Sequence, residues 1–67
     1  MKGFRGYIVD SKYMADISVY VTNARYDADC AMYVESSSYM ADKKVYIESA
    51  RYNADVVVYI VQNTYEL

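Results

Sequence analysis

One feature limits this chain more than any other: it repeats every thirteen residues. Aligned on Tyr7, Tyr20, Tyr33, Tyr46 and Tyr59, it divides into units 7–19, 20–32, 33–45 and 46–58 and a partial unit 59–67. The units read YIVDSKYMADISV, YVTNARYDADCAM, YVESSSYMADKKV, YIESARYNADVVV and YIVQNTYEL. All ten tyrosines fall at two places in the unit, the first and the seventh, the latter being Tyr13, Tyr26, Tyr39, Tyr52 and Tyr65. Ala-Asp follows two residues later, at Ala15-Asp16, Ala28-Asp29, Ala41-Asp42 and Ala54-Asp55. The fragment before Tyr7 keeps the phase, with Phe4 in the place of Ile17 and Val56. Units this alike must adopt like conformations and bury their apolar faces against one another.

Within each unit the apolar residues alternate with period two, which predicts short strands. Ile17, Val19 and Val21 face one way, and Ser18, Tyr20 and Thr22 the other. Cys30, Met32 and Val34 oppose Ala31, Tyr33 and Glu35, and Val56, Val58 and Ile60 oppose Val57, Tyr59 and Val61. The linking segments around Asp10-Ser11-Lys12, Asn23-Ala24-Arg25, Ser36-Ser37-Ser38 and Ser49-Ala50-Arg51 suit tight turns or one helical turn, capped by their own Asx and Ser side chains. No longer helix is expected.

The ends of the array decide its form. An open solenoid needs polar capping repeats. Here the third place of the unit is Val9 in the first repeat and Val61 in the last, but Thr22, Glu35 and Glu48 between them. The last full strand is apolar on both faces, the pattern of a covered strand. An exposed edge of that kind invites aggregation. The expectation is therefore one all-β domain over residues 1–67, a closed tandem-repeat array of short strands, monomeric in preference to a homo-oligomer.

The recurrent Tyr, Ala-Asp and Val, in units of the form Y-[IV]-x-[DSN]-[SA]-[KR]-Y-x-A-D-x-x-V, resemble those of the bacterial septoil-knot domain family. The resemblance covers nearly the whole chain and implies a small, torus-knotted β structure. That knot implies about seven units, whereas this chain has not quite five. If each unit steps two places round a closed ring, an odd number of units fills it in two circuits, and five units give a five-crossing knot.

Composition excludes several functions. The chain has no histidine and one cysteine, Cys30, so neither an intrachain disulfide nor a zinc site is expected. Seven basic residues scattered among nine acidic ones give a net charge of −2, which argues against nucleic acid. No apolar stretch approaches the roughly 20 residues that span a bilayer. Met1-Lys2-Gly3-Phe4-Arg5-Gly6 has no apolar core of a secretory signal, and with the lone thiol this points to the cytoplasm.

The recurrent aspartates Asp16, Asp29, Asp42 and Asp55 are the sharpest chemical feature. Side by side they would form a carboxylate row able to bind calcium or another hard cation. The reading preferred is structural, each aspartate capping a turn or pairing with a basic residue of its own unit such as Lys12, Arg25 or Arg51. The tyrosines are expected to pack in core and layers, with a peptide- or glycan-binding surface as the alternative. Cys30 reads as a small buried hydrophobe, and Lys43 as a break in the apolar face that snorkels outward or finds an acid. No nucleophile elbow or phosphate loop is present, so no enzymatic activity and no cofactor are expected, and the role expected is structural or an interaction.

Overall fold

A computed structural model describes residues 3–67; Met1 and Lys2 of the amino-terminal segment lie outside it. Five strands form, β1 (Gly3–Ile8), β2 (Ile17–Thr22), β3 (Cys30–Val34), β4 (Lys43–Ile47) and β5 (Val56–Val61). Each is followed by one 3-10 turn, at Lys12–Met14, Arg25–Asp27, Ser38–Met40, Arg51–Asn53 and Thr64–Glu66. The residue before each turn is extended and makes no capping bond with its side chain, so the Asx and Ser caps expected from sequence do not form. The turns close through the backbone instead, as where Ala15 N–H donates to the Lys12 carbonyl at 3.1 Å.

The strands close into a barrel in the order β1-β3-β5-β2-β4, every pair parallel. Strands consecutive in sequence are never neighbours. Each connection steps two places, as a two-circuit ring requires. Parallel strands are usually joined by a crossover of a dozen or more residues. Here residues 9–16 suffice, because neighbouring strands are strongly staggered and the barrel is thin, with extents of 28 × 28 × 14 Å.

The ring closes where the chain meets itself. A Cβ on Gly3 would lie 2.9 Å from the Leu67 Cα. Leu67 holds the repeat place of Ala15, and Gly3 that of Asp16, so residues 3–6 complete the partial unit 59–67. The strands run along the inside and the turns, none with a buried residue, return along the outside. Five such passes wind the chain five times round the tube and twice round the ring. With the touching ends taken as joined, that path is a five-crossing torus knot.

The inward residues stack in layers. Val19, Met32, Val45 and Val58 form the fully buried middle layer, and Phe4, Ile17, Val21, Cys30, Val56 and Ile60 pack against it. Gly6 holds the fifth place of that middle layer and is buried too. On the outward face of the strands Ser18, Ala31, Val57 and Val61 are also buried. This agrees with the two-sided apolar pattern of the last strand.

Candidate functional site

Each recurrent aspartate precedes a strand and grips a neighbouring one at two points. The Asp16 carboxylate accepts from Lys44 N–H at 2.8 Å, and its own N–H donates to the Lys44 carbonyl at 2.7 Å. Asp29 holds Val57 in the same way at 2.9 and 2.8 Å, and Asp42 holds Arg5 at 2.9 and 2.8 Å. Asp55 holds Ser18 at 2.9 Å in both directions. The partners differ from the sequence expectation: these carboxylates neither cap their own turns nor pair with a basic residue of their own unit. A charge-assisted bond to a strand N–H uses the carboxylate where the ladder itself supplies no acceptor. At the seam Gly3 stands in the aspartate's place opposite Ala31, and the side-chain grip is missing there. Among the described residues no group of three or more His, Cys, Asp or Glu is gathered to hold a metal ion.

Four basic residues instead form ion pairs with acids of other units. Arg51 donates to both Asp27 carboxylate oxygens at 2.7 and 3.0 Å, and these bonds hold the Asp27 carboxyl below its ordinary pKa and the guanidinium above its own. Arg25 reaches Glu66 at 3.3 Å and lies over the Tyr59 ring, 5.0 Å from its centre. Lys12 meets Glu48 at 2.8 Å, and Arg5 meets Glu35 at 3.6 Å. Both glutamates are largely buried at the side chain. Lys43 is exposed.

The tyrosines divide into two classes. Tyr7, Tyr20, Tyr33, Tyr46 and Tyr59 lie half-buried on the outward face of the strands. Tyr13, Tyr26, Tyr39, Tyr52 and Tyr65, at the middle of the turns, are 84–95% exposed. The expectation that both sets pack in core and layers therefore fails for the second set. The two places are six apart, an even spacing that a strand pattern puts on one face, but the second lies within the turn, where the alternation no longer holds.

Cys30 packs partly buried against the core, and burial, then the nearby Asp29 charge, push its thiol above the ordinary pKa. It stands as the expected small hydrophobe. No helix among the described residues is long and apolar enough to cross a membrane.

The family model of the 7(1) septoil knot domain matches residues 3–66. The chain belongs to that family. No curated protein and no solved structure matches it. As a septoil knot domain it departs from the seven units implied by the family pattern, since five strands already close its ring. The same two-place step serves either odd number. Sequence reasoning missed the strand partners of the aspartates, which lie 28 or 37 residues away.

Proposed function

We propose that this chain is a non-catalytic structural or interaction module, holding tyrosines outward on a closed, stiff ring. The observation that carries the reading is the 84–95% exposure of Tyr13, Tyr26, Tyr39, Tyr52 and Tyr65 on five equivalent turns. A large aromatic side chain held at the surface by a rigid turn loses little entropy on binding and has both an apolar face and a hydroxyl to offer. Peptides and glycans are the partner classes such side chains suit. A lone thiol fits a reducing compartment such as the cytoplasm. The test compares the wild type with a variant carrying Tyr→Ser at all five turn positions, on peptide and glycan arrays and in thermal melts. Lost binding with a midpoint within a few degrees of wild type is the expected result. Equal binding by the two proteins, or collapse of the variant's fold, counts against the reading.

The cation-binding alternative is less favoured, because one oxygen of each recurrent aspartate already accepts a backbone N–H. Calcium should leave the melting midpoint unchanged. A rise that grows with calcium concentration, as linkage demands of a bound ligand, would revive it.

A further inference from the structure

The ring fills its outer grooves by a rule. The sixth residue of one unit lies against the first tyrosine of a neighbouring unit, as Arg25 does over Tyr59. By position in the repeat, Lys12 and Arg51 hold the places equivalent to Arg25, opposite Tyr46 and Tyr20. Each of the three cations also meets an acid, Arg25 with Glu66, Arg51 with Asp27 and Lys12 with Glu48. The same register places Thr64 beside Tyr33 and Ser38 beside Tyr7. In the Tyr33 unit Glu35 is met by Arg5 from β1.

At Tyr7 no long side chain arrives from the sixth place of a unit, and the cross-strand partner is the exposed Lys44 of β4. The repeat offers a serine there, and an open depression of about 350 Å3 remains, lined by Tyr7, Ile8, Val9, Asp10, Ser11 and Met14. Its lining offers a tyrosine ring, aliphatic walls from Val9 and Met14, and the exposed Asp10 carboxylate at its margin. We propose that this depression binds an arginine or lysine side chain of a partner peptide, in the place where Arg25 lies in the groove of Tyr59. The stem of the guest packs on Val9 and Met14, and its cation sits over Tyr7 near Asp10. A cation over an aromatic ring gains strength as water is excluded, and a long basic stem covers apolar surface at the same time. Val9 and Met14 stand where Glu48 and Asp27 serve other units, so the guest's charge is met by Asp10 alone. The partner is thus a basic side chain, bound weakly and sensitively to salt.

The ring contains its own control. Ser38→Arg should supply the missing side chain in cis and fill the depression. The experiment is a chemical-shift titration of the folded protein with acetyl-arginine amide, and in parallel with its norleucine counterpart. The arginine compound should shift the Tyr7, Val9 and Ser11 resonances at millimolar concentration, with norleucine at least several-fold weaker. Ser38→Arg should abolish these shifts, and Asp10→Asn should weaken them while the protein stays folded. Equal response to the two compounds, absence of shifts at Tyr7, or undiminished binding by Ser38→Arg would each overturn the proposal.

Discussion

Met32 occupies the space that a side chain on Gly6 would need: a Cβ built on Gly6 lies 2.6 Å from the Met32 sulfur. Both residues belong to the middle layer, where Val19, Val45 and Val58 fill the other places. One long side chain and one absent one thus replace two valines. Gly6→Val alone overpacks the layer and should cost about 1–3 kcal/mol. Met32→Val alone leaves a cavity and should cost about 1 kcal/mol or more. The double variant restores five valines, so its loss should fall well below the sum of the single losses. Urea denaturation of the four proteins measures the coupling, and strict additivity would refute the compensation.

The aspartate grips should differ in strength by what they leave behind. Asp55→Ala strips an acceptor from the N–H of Ser18, which is buried, whereas Asp42→Ala exposes the N–H of Arg5 to water. An unsatisfied buried donor costs about 1–3 kcal/mol, and one that water can reach costs less. Asp55→Ala should therefore lower the urea midpoint more than Asp42→Ala. The reverse order would mean that the outward face of β2 is wetter than its burial implies.

Cys30 should resist alkylation. Its thiol is raised above the ordinary value by burial, so the reactive thiolate is scarcer at pH 8 than in an unfolded chain. Iodoacetamide should label the native protein much more slowly than the urea-unfolded protein, and the native rate should climb as pH rises through the elevated pKa. Equal rates in the two states would show that the thiol is open to solvent.

How much of this was legible depended on whether a signal was local. The alternation of Ile17, Val19 and Val21 was enough to find β2 and its core face, because strand periodicity acts over a few residues. Closure was legible from β5, whose sequence is apolar on both faces and whose outward Val57 and Val61 are buried. The grip of Asp16 on Lys44 was not, since its partner lies two units and two residues further on. Only a ring already drawn with a two-place step brings that pair together. The exposed Tyr13 was misread for a related reason: its place in the repeat is as regular as that of a core residue, and regularity alone does not distinguish a buried layer from an outer belt. The groove at Tyr7 depends on Ser38, a residue that reads locally as an ordinary turn serine.

The closed ring makes its severest prediction about unit number. In an open solenoid, excising residues 33–45 would remove one increment of stability, a unit and its interfaces. In this barrel each connection carries the chain two places round, and five places are filled in two circuits. With four places, two such steps return the chain to a place already occupied, and the remaining places are never reached. The shortened chain must then either change the length of every step or leave strand edges unpaired, and strand number, stagger and tilt in a barrel cannot be altered one at a time. Unpaired parallel edges recruit other chains. The deletion should therefore abolish cooperative urea unfolding or drive oligomerisation on size-exclusion chromatography. The intact chain should unfold and refold slowly, since every strand pairing is non-local. A monomeric four-unit variant that unfolds cooperatively with modestly reduced stability would show that the two-place step is not what holds the ring together.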